Sequence, residues 1–259
     1  MLLEVKDLNI SLTSEKSVAE HISFRLGQGE MLSIVGSSGA GKTTICKAIM
    51  GLLGNAYRAD GEILFQGEVL LDLPERKRQT IYGKEICLIM QNPMTAFNPS
   101  IRVGRQMEKT YLLHHGKTPR QEMQRLFAAI LQKLGLEDTQ RILNSYPFTL
   151  SGGMLQRLMI AAALMCQPAL LVADEATTAI DACNRIGLMR ELKSFCKDGM
   201  SVLFVTHDLR SASVSDRILV MDRGQIVEQG KTEQILNTPK EDYTKYLLNA
   251  CRLERREMS

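Results

Sequence analysis

Four short runs, Met31 to Val35, Ile86 to Met90, Ala169 to Ala173 and Ser201 to Val205, are nearly uninterrupted in apolar residues. Strands covered on both faces read this way, and covering both faces takes helices on each side, so the runs predict an α/β chain built on a parallel sheet. Each run stops at polar residues: Gly36-Ser-Ser-Gly-Ala-Gly-Lys-Thr43 after the first, Gln91 after the second, Asp174-Glu175 after the third and Thr206-His207-Asp208 after the fourth. Ligands of open parallel sheets bind beyond the carboxyl ends of the strands, so these four groups are expected to converge on one site.

The remaining segments follow other periods. Residues 1 to 30 alternate apolar and polar (Leu3, Val5, Leu8, Ile10, Leu12, then Ile22, Phe24, Leu26), the pattern of strands with one buried face, and Gly61 to Gly67 reads as another such strand. Between Pro93 and Cys166 helix formers take over, with Gln121 to Leu134 apolar at helical spacing, which predicts a helical insert. After Asp208 come a short helix, a hairpin from Arg217 to Val220 and Gln225 to Glu228 about Asp222-Arg-Gly224, and a closing helical segment from Lys240.

Composition closes off several function classes. With 44% hydrophobic and 24% charged residues the chain is neither disordered nor fibrous. The longest apolar run, Leu158 to Cys166, has nine residues, against the ~20 a membrane-spanning helix needs. The start, Met-Leu-Leu-Glu-Val-Lys, is charged almost at once, unlike a signal peptide, so a cytosolic compartment is expected. Cys46, Cys87, Cys166, Cys183, Cys196 and Cys251 form no CxxC pair, and most fall in apolar segments, where reduced buried thiols are expected. A balance of +3, from 32 basic and 29 acidic residues, is too weak to indicate nucleic acid as a partner. The basic tail Arg252 to Arg256 reads as a solvated helix end.

Gly36 to Thr43 fits G-x-x-x-x-G-K-[ST] between an apolar strand and a helix-forming stretch that begins at Thr44. Glycines let successive backbone N–H groups point into one concavity at a helix N-terminus, where free donors and the helix dipole favour an anion. Gly36, Ser37, Ser38, Gly39, Ala40, Gly41, Lys42, Thr43 and Thr44 are therefore the candidate phosphate-binding residues, with Lys42 on the β- and γ-phosphates and the Thr43 hydroxyl on Mg²⁺. Behind such a loop, Asp174 suits the Mg²⁺ shell and Glu175 the general base for an attacking water. Read alone, the same pair would be a strand-end turn or helix cap. Leu150-Ser151-Gly152-Gly153, followed by a strong helix former, offers a second anion-accepting helix N-terminus. One nucleotide does not need two such loops from one chain, so the economical reading has each facing a nucleotide held by another protomer.

At this point the sequence resembles the ATP-binding-cassette (ABC) ATPases over essentially its full length. Walker A corresponds to Gly36 to Thr43, the glutamine loop to Gln91, the signature to Leu150 to Gly153, Walker B to the strand ending at Asp174-Glu175, the D-loop to Ala179-Ile-Asp181 and the switch histidine to His207. The resemblance implies an α/β fold, with a RecA-like P-loop core, an N-terminal antiparallel β region and an inserted α-helical subdomain at about 93–165, all in one ATPase domain spanning 1–259. It implies ATP and Mg²⁺ as cofactors, Glu175, His207 and Gln91 as catalytic residues, Gln91 also in the Mg²⁺ shell with Thr43 and Asp174, and Ser151, Gly152, Gly153 and Asp181 as nucleotide contacts. Two subunits would close head-to-tail on two ATP molecules.

Gln91-Asn-Pro-Met-Thr-Ala-Phe97-Asn-Pro99 and Ser145-Tyr-Pro-Phe-Thr-Leu-Ser-Gly-Gly look like the peptide/nickel importer branch, on the side of the first of two ATPase subunits of nickel import systems. That implies a second, non-identical ATPase subunit, two transmembrane permease subunits and an extracytoplasmic solute-binding protein, with this chain peripheral on the cytoplasmic face of the inner membrane. Nickel, a metal chelate, a dipeptide or an oligopeptide would each fit as cargo. Motion would pass to the permease through the groove near Gln91 and Phe97, unless Phe97 is subdomain core. Three positions depart from the family: residues 1 to 23 hold no aromatic residue, with Leu12 where an adenine-stacking ring usually stands; Ala176 replaces a usual Pro; and Ala179-Ile180 replaces Ser/Ala-Leu. A non-transport ABC ATPase acting on nucleic acid or ribosomes, or a small-molecule kinase, would share the phosphate loop, but the first usually carries two cassettes or long insertions and the second has no use for Leu150 to Gly153 or His207.

Overall fold

The computed structural model describes residues 1–14, 16–176 and 182–257, with the side chains of 182, 183 and 252–257 outside the description. Cys183 and the basic tail therefore lie beyond what can be said of side chains, although the backbone is helical as far as Glu257. In chain order, β1 (Leu3–Leu12) and β2 (Ser17–Leu26) form an antiparallel pair, followed by β3 (Met31–Gly36), α1 (Lys42–Ile49), β4 (Tyr57–Phe65) and β5 (Glu68–Val69). Strands β2-β1-β4-β5 make a four-stranded antiparallel sheet in that order, burying Leu3, Val5, Leu8, Ile10, Ile22 and Phe24 in one core. Plain alternation would send Leu3 and Val5 to one face and Leu8 and Ile10 to the other, and the register shift between Val5 and Leu8, with Asp7 at φ +45°, brings them back together. Strand β4 begins at Tyr57, four residues before the apolar stretch: Tyr57 to Asp60 pair with Asn9 to Leu12 after a register shift in β1, and backbone ladder bonds extend the strand where the pattern is polar.

The chain continues through α2 (Glu75–Ile81), β6 (Ile86–Ile89), α3 (Val103–His115), α4 (Arg120–Lys133), α5 (Thr139–Asn144), α6 (Gly152–Leu164), β7 (Leu170–Asp174), α7 (Ala182–Cys196) and β8 (Ser201–Thr206). It closes with α8 (Leu209–Ala212), the hairpin β9 (Arg217–Asp222) and β10 (Gln225–Lys231), α9 (Thr232–Asn237) and α10 (Asp242–Glu257). The second sheet has the order β10-β9-β3-β8-β7-β6. Strands β9, β3, β8, β7 and β6 run parallel, and β10 is the antiparallel edge. Every residue of β3, β7 and β8 is buried, which is what the continuous apolar runs demanded. Helices α2 and α9 have seven and six residues, too few turns for a period to emerge from the sequence.

The large sheet separates two cores. On one face Leu32, Ile34, Leu170, Val172, Leu203 and Val205 pack with α1 and the antiparallel sheet. On the other Met31, Leu171, Ala173, Val202 and Phe204 pack with α3, α4, α6 and α7. A third, smaller cluster lies at the β9 edge, where Val35, Ile218 and Val220 meet α8, α9 and α10. No described helix is long and apolar enough to cross a membrane. Cys46, Cys87, Cys166 and Cys196 are buried free thiols, as expected, and Cys251 is half-buried.

In α6, Gln156 is fully buried and both polar atoms of its side-chain amide lack a hydrogen-bond partner among the described residues. An unpaired buried amide forfeits roughly 1–3 kcal/mol, so a side chain of similar length without polar atoms is expected to stabilise this state. Gln156→Met should raise the thermal midpoint by a few degrees, measured by calorimetry; a lower midpoint would mean that the amide is paired in solution.

Candidate active site

The phosphate loop leaves the carboxyl end of β3 and returns as α1. Two of its glycines are dictated by close approaches. A Cβ on Gly36 would lie 2.2 Å from the Met221 carbonyl oxygen of the neighbouring strand, and Gly41 (φ +95°) would place one 2.7 Å from the Val18 carbonyl oxygen of β2. Ser37, Ser38 and Gly39 are exposed at the rim, Ala40 is buried beneath them, and Thr44 lies half-buried in the first turn of α1. Lys42 is buried, and its ammonium donates to the carbonyl oxygens of Gly36 and Ser37, both at 2.8 Å. Burial pulls its pKa down, against the opposing pull of Glu175 and Asp174. A desolvated ammonium held by two neutral carbonyls is ready to exchange them for phosphate oxygens.

In the sheet order β3-β8-β7-β6 the four polar strand ends lie along one edge. Helix α1 leans across this edge, and Thr43 Oγ1 donates to Asp174 Oδ1 at 3.1 Å, joining the loop after β3 to the end of β7 two strands away. Asp174 is buried, which pushes its carboxyl pKa up; the Thr43 hydrogen bond works against this and the Glu175 charge adds to it. Glu175 leaves the strand in the left-handed region, at φ +49°, while its N–H still donates to Val205 O at 2.8 Å. For a non-glycine residue that conformation is uncommon and costs of order 1 kcal/mol or more. There Gln91 Nε2 donates to Glu175 Oε2 at 2.6 Å, and His207 Nδ1 lies 3.1 Å from Glu175 Oε1. Lys42, Thr43, Asp174, Glu175, Gln91 and His207 are thus linked across four strand ends.

The signature residues are placed differently. Ser151 is the N-cap of α6, its hydroxyl accepting from the Met154 N–H at 3.2 Å, with Gly152 and Gly153 opening the helix. Among the described residues Ser151 makes no hydrogen bond to the phosphate loop. Asp181, with Ala179 and Ile180, lies outside the described residues. Phe97 is subdomain core: it is buried with Val103, Met107 and Leu155. The exposed apolar side chains near Gln91 are instead Met90 and Met94, and farther along Ile101, Tyr146 and Phe148. The Arg102 guanidinium lies 5.8 Å from the centre of the Tyr146 ring, and Val103 N donates to Ser145 O, tying the last three to one surface. Leu12, where the expected aromatic is missing, faces the half-buried Tyr57 across the β1–β4 ladder.

Two contacts escaped the sequence reading because their partners are far apart in the chain. Ser37 N donates to the Tyr243 hydroxyl of α10 at 3.1 Å, and Arg185 pairs with Asp208, the residue after His207, at 3.4 Å.

A family model described as ABC transporter matches residues 19–178. The metal-staphylopine import system ATP-binding protein CntD of Staphylococcus aureus strain Mu50 is 41% identical over 251 residues, covering 96% of this chain and 92% of its own. The oligopeptide transport ATP-binding protein OppD of Bacillus subtilis is also 41% identical, covering 95% of this chain and 71% of its own. Among solved structures, the ATP-binding cassette MJ0796 in a dimeric post-hydrolysis state bound to ADP and Pi superimposes with a TM-score of 0.78 at 26% identity, covering 89% of this chain and 99% of that one. An ATP-binding subunit of an ABC transporter gives a TM-score of 0.77 at 27% identity over 97% of this chain and 100% of that one. The mixed α/β architecture is that of these cassettes, and with the family model and the relatives matched over nearly the whole chain, this chain belongs to the ABC transporter family.

Proposed function

We propose that this chain is the ATP-binding and ATP-hydrolysing subunit of an importer: one domain over 1–259, with 93–165 as its helical arm, peripheral on the cytoplasmic face of the inner membrane. The observation that carries this reading is the joining of Lys42 and Thr43 to Asp174, Glu175, Gln91 and His207 along one sheet edge. Backbone N–H groups of Gly39 to Thr44 and the Lys42 ammonium hold the triphosphate. The Thr43 hydroxyl and Asp174 carboxylate, 3.1 Å apart, are hard oxygen donors of the type Mg²⁺ takes, with Gln91 beside them through Glu175. Thr43, Asp174 and Gln91 would hold Mg²⁺ there, which would supply charge neutralisation for the phosphates. Glu175, whose carboxylate offers more lone pairs than its contacts to Gln91 and His207 take, accepts the proton of the water whose oxygen bonds to the γ-phosphorus as the bond from that phosphorus to the bridging oxygen breaks and ADP leaves, and His207 turns to the γ-phosphate.

Ser151, Gly152 and Gly153 complete the site of a second, non-identical ATPase subunit, with Asp181 alongside, and the partner's signature completes this one. Two permease subunits dock on the apolar surface of Met90, Met94, Ile101, Tyr146 and Phe148, and a solute-binding protein delivers the cargo from outside. We assign nickel, bare or as a metal chelate, as that cargo; the likeness to a metal-staphylopine system supports it. The equal identity to an oligopeptide system supports a peptide as the second reading.

Cellular nickel in low-nickel medium, by elemental analysis, tests the assignment in strains carrying the wild type, Glu175→Gln or a deletion. Both disabled strains should lose most of their nickel. Unchanged nickel with failed growth on peptides would remove the nickel reading and leave the ATPase reading standing.

A further inference from the structure

The peptide plane between Gly36 and Ser37 is held from both sides. Its carbonyl oxygen accepts from the Lys42 ammonium at 2.8 Å, and its N–H donates to the Tyr243 hydroxyl at 3.1 Å. Because the peptide is planar and trans, these partners pull in opposite directions and fix the rotation of the unit about the chain. The next carbonyl, of Ser37, accepts from Lys42 and from the Ala40 N–H, both within the loop, whereas the Ser37 N–H is bonded to a helix outside it.

Tyr243 is itself placed firmly. The buried Glu228 of β10 accepts from the Lys240 and Glu241 N–H groups at 2.9 and 3.2 Å and so sets the start of α10. The Tyr243 ring packs on the cluster of Val35, Leu209, Ala212 and Ile218. Farther along α10, the Cys251 carbonyl accepts from Arg210 of α8 at 2.6 Å, and α8 is capped by Asp208, immediately after His207. One helix therefore touches the loop around Lys42 at one end and the segment behind His207 at the other.

We propose that Tyr243 is a positioning residue for ATP binding: through the Ser37 N–H it holds the Gly36–Ser37 peptide, and with it Lys42, in the orientation that receives the triphosphate. The proposal rests on the reading of Gly36 to Thr44 as the phosphate loop. Tyr243→Phe keeps the ring and removes the acceptor. In the full-length chain, the Kd for Mg-ATP by calorimetric titration and the KM for ATP should rise together by about threefold to tenfold, as the loss of one hydrogen bond predicts, with kcat within twofold and the thermal midpoint unchanged. Ser37→Pro removes the donor from the other side, and the double variant should bind no more weakly than the worse single one. An unchanged Kd in Tyr243→Phe, or additive losses in the double variant, would overturn the proposal. The underlying reading fails separately: it falls if Lys42→Ala still binds Mg-ATP with wild-type affinity.

Discussion

Glu175→Gln is expected to bind ATP as tightly as the wild type and to lose turnover by roughly 10²- to 10⁴-fold, the usual contribution of a positioned general base. The substitution is nearly isosteric. A glutamine can keep a hydrogen bond to Gln91 and another to His207, both of which the carboxylate contacts, but it cannot accept the proton of water at neutral pH. Asp174, Thr43 and Lys42 are untouched, so the groups assigned to the triphosphate remain in place. Single-turnover phosphate release together with equilibrium binding of labelled ATP separates the two quantities. Wild-type turnover would remove Glu175 from the chemistry, whereas a parallel loss of affinity would mean that its charge mainly organises the surrounding loops.

Ser151→Arg is expected to leave ATP binding to the isolated subunit intact and to abolish ATP-driven association with a second ATPase subunit. Ser151 makes no hydrogen bond to this chain's own phosphate loop among the described residues, and its hydroxyl is spent on the Met154 N–H at the start of α6. A long cationic side chain at that exposed cap removes the capping oxygen, at a cost of ~1 kcal/mol, and obstructs the close approach that Gly152 and Gly153 permit. The surface is needed only when two subunits meet, so the defect should appear in association and not in monomer affinity. Light scattering or ultracentrifugation with and without ATP, in the Glu175→Gln background where hydrolysis is slow, gives the comparison. Unchanged association would sink the shared-site arrangement.

In the proposed arrangement these two effects differ because the site divides into residues already assembled and residues that a partner would complete. Coupling of this kind needs contacts that exist in one state and not in the other. Lys42, Thr43, Asp174, Glu175, Gln91 and His207 belong to the first group. Ser151 to Gly153, at the start of α6, would belong to the second.

Most of the fold was legible because its strongest signals are local. A strand buried on both faces must be apolar throughout, so β3, β6, β7 and β8 could be read within a residue or two at each end. Carboxyl ends of parallel strands must share an edge, so the meeting of Gly36 to Thr43, Gln91, Asp174-Glu175 and His207 followed from the same pattern. Short helices such as α2 and α9 carry too few turns to show a period, and the first residues of β4 are held by ladder bonds that any side chain permits.

The sequence by itself determined the class of sheet, the convergence of its polar strand ends and the side chains they carry, because apolar runs, glycine spacing and side-chain type are properties of neighbouring residues. Only the tertiary structure decided where each of those groups points. It turned Glu175 into the left-handed region between Gln91 and His207, buried Phe97 in the helical arm and brought Tyr243 to a peptide 206 residues earlier in the chain. Such contacts depend on how helices lean across the sheet and which backbone groups are left to be paired, quantities set by packing over the whole molecule and carried by no single stretch of it.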